Sequence, residues 1–158
     1  MIREALMVTA CVLHSSDKNF TAQNCKELKF CTKTIKQIHD ECLGIKFDTN
    51  HNNQIINGIY LIKSGISTEN TYLNGQYVNK GSWLIKFIVL NETTKQDIEN
   101  KKLKGVSLDI SANLLNPCSC DNNLNCDSEF CHKVNFISIV DNPCNFLDFE
   151  YESIKLEV

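Results

Sequence analysis

Residues 71–90 read TYLNGQYVNKGSWLIKFIVL, and their reading decides the class of the fold. Asn74-Gly75 is the dipeptide of tight hairpins, because both central residues of such a turn need positive φ. Aromatic and β-branched residues flank it on both sides, the composition of strands that pack on a half-buried sheet. The preceding run IINGIYLIKSGIS, at 55–67, has the same character, so the middle of the chain supplies two or three strands. Further back, ALMVTACVL at 5–13 is continuously apolar and bounded by polar HSSDKN, which fits a buried strand better than a short helix. Between these β segments the period changes. Cys25, Leu28, Cys31 or Thr32, Ile35 and Ile38 recur at three- and four-residue steps, which predicts one amphipathic helix over about 21–42. Thr21 or Asn19 suits its start and Gly44 its stop. GIKFDTNHNN at 44–53 then reads as a short strand, Ile45 to Asp48, ending in a polar turn.

Toward the C-terminus, NETTKQDIENKKLKG at 91–105 predicts a second, short helix capped by Asn91 or Thr93 and stopped at Gly105. VSLDISANLL, VNFISIVDNP and FLDFEYESIKLEV follow as strands, the first two separated by a cysteine-rich loop. With no repeat and no linker, residues 1–158 are expected to form one domain with a Cys-rich insertion at 117–132. The class is α+β, a mainly antiparallel sheet or barrel with two helices.

Composition narrows the function. Sixteen basic and nineteen acidic residues give a net charge of −3, and Arg3 is the only arginine. A nucleic-acid surface would be basic and rich in Arg, so no nucleic acid is expected as partner. No apolar run reaches the length that spans a bilayer, and the N-terminus lacks a signal-peptide pattern, so the expectation is a soluble, cytosolic protein with no membrane partner. In that compartment nine cysteines are thiols or metal ligands rather than disulfides. Asn, Lys and Ile make up about a third of the chain, the imprint of an AT-rich genome, and scattered Asn and Lys carry little weight.

Acyl-transfer catalysis needs a nucleophile, a base in hydrogen-bond reach and a group that orients the base. Four histidines limit the choice of base. His14 falls in a polar turn after the first strand and His39 near a helix end, where histidine commonly faces the helix dipole. His51 follows the strand IKFD in a turn that a scaffold can hold rigid, although a surface histidine in an Asn-rich turn would read the same way. Ser107 stands two residues after Gly105, whose missing side chain leaves the backbone open to close approach by a substrate. A serine in a strand is otherwise unremarkable.

The stretch GSWLIKFIVLNETTKQDIENKKLKGVSLDISA, at 81–112, resembles the signature segment of the XkdF-like serine proteases of phages, the prohead maturation protease group. There a Gly-x-Trp strand, a short Lys-rich helix and a strand with Gly, an aromatic or aliphatic residue and Ser occur in this order. The helix segment TAQNCKELKFCTKTIKQIH, the turn FDTNHNN with its following strand IYLIKSGISTEN, and ISIVDNPCNF are similar to the family's corresponding segments, so about residues 6–147 are covered. The resemblance implies a fold like the herpesvirus assemblin protease, a small β-barrel ringed by helices. It implies that Ser107 is the nucleophile and His51 its base. Substrates and partners would be scaffold and major capsid proteins inside the assembling prohead, in the host bacterial cytoplasm. Assemblin relatives dimerise, which by analogy implies a homodimer. The third member departs from the family. Related head proteases carry an acidic residue where this chain has Phe136. His132 shares the parity of Phe136 on the same strand and is one candidate to orient His51; Asp141 and Asp109 are the alternatives. Assemblin-type enzymes use arginine near this point as oxyanion donor, and Arg3 is in the wrong place for it, so no oxyanion donor is named.

Cys118, Cys120, Cys126 and Cys131, followed by His132, supply enough soft ligands for a tetrahedral structural zinc, with no cofactor needed for catalysis. If His132 binds metal it does not also orient His51. Plain thiols in a loop are the other reading. The remaining cysteines, Cys11, Cys25, Cys31, Cys42 and Cys144, fall mostly on apolar faces as small core residues. Three function classes stand: a serine endopeptidase of phage head maturation, a catalytically inactive head-assembly or scaffold-associated protein of the same fold, and a zinc-binding module. No cysteine stands in a convincing nucleophile setting beside His51.

Overall fold

The computed structural model describes residues 1–16, 20, 21, 28–42, 44–108, 136–143, 145 and 147–157. The strands and helices are β1 (Ile2–Ser16), β2 (Phe20–Thr21), β3 (Leu28–Cys31), α1 (Thr32–Glu41), β4 (Lys46–Thr49), β5 (Ile59–Ile66), β6 (Thr71–Leu73) and β7 (Gln76–Val78). They continue with β8 (Trp83–Val89), α2 (Glu92–Glu99), β9 (Gly105–Leu108), β10 (Phe136–Val140) and β11 (Glu150–Glu157). The class is α+β with mainly antiparallel pairing and two helices. Among the described residues the strands bond into three separate sheets, of six, three and two strands.

β1 organises the largest sheet. Its first half pairs with β11, from Ile2↔Glu157 to Thr9↔Glu150, and its middle pairs with β8, from Leu6↔Val89 to Leu13↔Trp83. Its end runs parallel to β3, His14↔Lys29 to Ser16↔Cys31. β8 alternates strictly, with Trp83, Ile85, Phe87 and Val89 buried and the residues between them more open. That face meets Leu6, Val8 and Ala10 of β1, Ile35 and Ile38 of α1, and Ile98 of α2 in one core. The opposite face carries a smaller cluster of Cys11, Leu73, Val78 and Leu147. The Asn74-Gly75 hairpin supplies two of its members, and both turn residues have the positive φ their types allow, 49° and 76°.

The second sheet is β4-β10-β9, with β10 parallel to β4 and antiparallel to β9. Phe47, Val106, Leu108, Ile137 and Ile139 all enter the main core, and the rings of Phe47 and Phe87 lie 4.9 Å apart where the two sheets meet.

Four local expectations change. The first helix begins at Thr32, not near residue 21, because the backbone of Leu28–Cys31 is taken up by β1. Strand pairing over a long range outweighs the helical spacing there. β1 runs on to Ser16, so His14 is a buried strand residue and not part of a polar turn. α2 ends at Glu99, and Gly105 opens β9 instead of stopping the helix. The space beside Gly105 is filled by the ring of Pro143, not left open to a substrate.

Candidate functional site

Each strand of the three-stranded sheet carries one buried polar residue beside buried apolar ones: Phe47-Asp48, Val106-Ser107-Leu108 and Ile137-Ser138-Ile139. Since successive side chains alternate across a sheet, the apolar neighbours enter the core and the polar residues take the other face. The register brings them into one row. Ser138 is the partner of Asp48 on one side and of Ser107 on the other. All three are buried, Asp48 and Ser138 completely and Ser107 at 8% exposure.

A buried carboxylate needs hydrogen-bond donors. Asp48 has two: the Ser138 hydroxyl donates to Oδ1, and the backbone N–H of Asn53 donates to Oδ2 at 2.9 Å. The second bond folds the chain back on itself directly after β4. Asn50, His51 and Asn53 all lie in the left-handed region, at φ of 47°, 58° and 60°. Asparagine and histidine are among the residues that tolerate it best. The turn is held further by Asn50 N–H on the Ile139 carbonyl at 3.0 Å and by Asp141 N–H on Asn50 Oδ1 at 3.2 Å. Its outcome is that exposed His51 sets Nδ1 3.0 Å from the hydroxyl of Ser138.

Of the residues singled out in the sequence, His51 and Ser107 therefore converge on Ser138, one by a hydrogen bond and one as its cross-strand partner. No hydrogen bond joins His51 to Ser107 directly. Asp141 is exposed in the turn after β10. Asp109, His132, Cys118, Cys120, Cys126 and Cys131 lie outside the described residues, as do Cys25 and Cys144. Among the described residues no group of three or more His, Cys, Asp and Glu side chains is placed to hold a metal. His14 accepts the Asn79 N–H through Nε2 at 3.2 Å, and His39 bonds Asp40 while its ring stands edge-on to Trp83. Both histidines are tied into the scaffold. Arg3, exposed, pairs with Leu156 near the start of β1. Cys11 and Cys31 are buried, and burial pushes the Cys11 thiol far above its ordinary value.

The residues sequence reading missed are Ser138 and the role of Asp48. The available signal was the single polar residue inside ISI, at the parity of Phe136; what the sequence lacks is the register that sets 48, 107 and 138 side by side. No described helix is long and apolar enough to cross a membrane. Compared with known proteins, the chain matches no family model, no curated protein and no solved structure.

Proposed function

We propose that the chain is a serine endopeptidase that processes scaffold and capsid proteins during phage head maturation, with Ser107 as nucleophile and His51 as base. The observation that carries this reading is the row Asp48, Ser138, Ser107 with His51 bonded at its middle. A histidine anchored through Nδ1 keeps Nε2 for the nucleophile's proton, the division of labour that Ser-His catalysis needs. Consecutive left-handed residues at a polar turn add to it, since backbone strain of this kind gathers at functional sites. The catalytic hydrogen bond between Ser107 and His51 forms as substrate docks, as is common for sites that are loose when empty.

In the reaction, Ser107 Oγ bonds to the scissile carbonyl carbon while its proton passes to His51 Nε2. Collapse of the tetrahedral intermediate breaks the C–N bond, and His51 returns the proton to the leaving amine. Water then attacks the acyl-enzyme, giving its proton to His51, and Ser107 is released with its proton restored. The proposal includes an assemblin-like fold, although among the described residues the strands form separate sheets and not one closed barrel. It includes action inside the prohead in the bacterial cytoplasm.

A second reading, an inactive head-assembly protein of the same fold, is favoured by one observation: Phe136, apolar and half-buried, stands where head proteases carry an acid. Intact-mass analysis separates the two. The chain and Ser107→Ala are each co-expressed with a scaffold and a major capsid protein of the same phage. Truncations that disappear in Ser107→Ala support the peptidase; identical uncut masses with normal assembly support the inactive module.

A further inference from the structure

We infer that Ser138 and Asp48 together form the third member of the site, the Ser138 hydroxyl relaying the Asp48 carboxylate to His51. The inference rests on the Ser107 and His51 reading above for its catalytic meaning, and on geometry alone for the relay.

The direction of the relay follows from counting protons. A carboxylate only accepts, and a serine hydroxyl has one proton to give. That proton goes to Asp48 Oδ1, so the contact between Ser138 Oγ and His51 Nδ1 at 3.0 Å is a hydrogen bond only if Nδ1 carries the proton. The neutral ring is thereby fixed with its lone pair on Nε2, the form a general base requires. Protonation at Nε2 makes the imidazolium, whose charge the buried carboxylate then stabilises through one intervening hydroxyl. Asp48 is held in place independently by the Asn53 N–H, so its orientation does not depend on His51. The usual orienting carboxylate touches the histidine directly. Here Phe136 occupies the expected position, and two residues on, at the same parity, Ser138 bridges to an acid delivered by β4 instead. Ser138 is fully buried and committed to Asp48, so it is a positioning residue and not a rival nucleophile.

Among the described residues two carboxylates belong to the elements packed against the His51 turn: Asp48 of β4, and Asp141, whose backbone N–H bonds Asn50. The test is long-range 1H–15N NMR of the His51 ring at alkaline pH, assigned with His51→Gln, in the full chain and in Asp48→Asn, Ser138→Ala, Ser138→Thr and Asp141→Asn, which reads directly which ring nitrogen carries the proton. The relay requires the Nδ1–H form in the full chain. That form is expected to be lost in Ser138→Ala, and in Asp48→Asn, where the hydroxyl is free to donate to Nδ1, and to persist in Ser138→Thr and Asp141→Asn. An Nδ1–H form that is absent from the full chain, or that survives both Asp48→Asn and Ser138→Ala, overturns the relay. Ser138→Ala and Ser138→Thr change one small side chain, so the comparison survives if Asp48→Asn does not fold. The measurement needs no substrate, so it reports on the relay even where the mass analysis rules out cleavage. Where cleavage occurs, Asp48→Asn and Ser138→Ala are expected to lower kcat with KM little changed, and Ser138→Thr to keep it.

Discussion

Gly105 and Pro143 are in contact across the end of the β9-β10 ladder. A Cβ built on Gly105 would stand 2.6 Å from Cγ and 2.7 Å from Cβ of the Pro143 ring, and 3.2 Å from the Leu147 carbonyl oxygen. Gly105 pairs with Val140, and two residues further along the same ladder Ser107 pairs with Ser138. The absence of a side chain at 105 therefore makes room for the Pro143 ring, three residues past the end of β10, to pack against the start of β9.

Gly105→Ala is expected to cost on the order of 1–3 kcal/mol, the range for overfilling a packed site. Pro143→Gly removes both ring atoms, so adding it to Gly105→Ala should recover part of that loss although Pro143→Gly alone destabilises. Urea unfolding of the four chains measures the coupling. Strict additivity would mean that the Pro143 ring is not what excludes a side chain at 105.

Asn91 ties the start of α2 to the chain ahead of β5. Its side-chain oxygen accepts the Thr94 N–H at 3.0 Å, and its amide nitrogen donates to the Asn57 carbonyl at 3.1 Å. Asn91→Ala should lose about 1 kcal/mol or somewhat more, the usual worth of an N-cap. Asn91→Asp keeps the cap and gives up only the donor to Asn57, so it should fall between the two. Equal losses in both variants would assign the stabilisation to the Asn57 contact instead of the cap.

These caps and turns were legible in the sequence because they are local. Asn91, the Asn74-Gly75 hairpin and the alternation of β8 follow from chemistry within a few residues. The same reasoning overextended the first helix, whose apolar spacing continues back through Leu28 and Cys31. Pairing with residues 14–16 of β1 decides that segment, and nothing within it announces a partner so distant. The site divides in the same way. His51 and Ser107 stand out by type and setting, whereas Asp48 and Ser138 acquire meaning only when β4, β10 and β9 lie in register. A lone serine between two isoleucines looks like any strand serine until its neighbours across the sheet are known.

Cys11 offers a pH test of the small cluster behind β1. Burial raises its thiol pKa well above the ordinary 9.0, so the folded state keeps the proton through a range in which the unfolded chain loses it. Stability from this group is complete below pH 9 and declines above it, since the unfolded state then binds fewer protons. The slope is about 1.4 kcal/mol per pH unit while only the unfolded thiol is ionised. Cys11→Ala should therefore be less stable than the parent at pH 7 through lost packing, yet show a flatter decline between pH 9 and 11. Denaturant midpoints across that range test it, and parallel declines would remove Cys11 as the source. Thiol labelling of the native chain at pH 8 should spare Cys11 and Cys31 and modify the half-buried Cys42 first among these three.

The His51 turn carries the last prediction, because its backbone decides where the ring stands. Asn50 sits at φ 47° and His51 at 58°, and the Asn50 side chain accepts the Asp141 N–H. Asn50→Gly keeps the left-handed conformation at no steric cost and loses only that bond, so its effect should stay near 1 kcal/mol or below. Asn50→Val places a β-branched residue where L side chains clash with the following carbonyl, adding about 1–2 kcal/mol. The strain has a route of relief: the turn opens and carries His51 away from Ser138. Displacement of a base by about an ångström costs on the order of a hundredfold in rate. Under the proposed function, Asn50→Val should thus lose far more cleavage activity than its stability loss accounts for, while Asn50→Gly keeps most of it. Urea unfolding and cleavage of a capsid substrate measured on the same two variants separate the effects. Activity that simply follows folded fraction in both would show that the conformation at residue 50 does not control the position of His51.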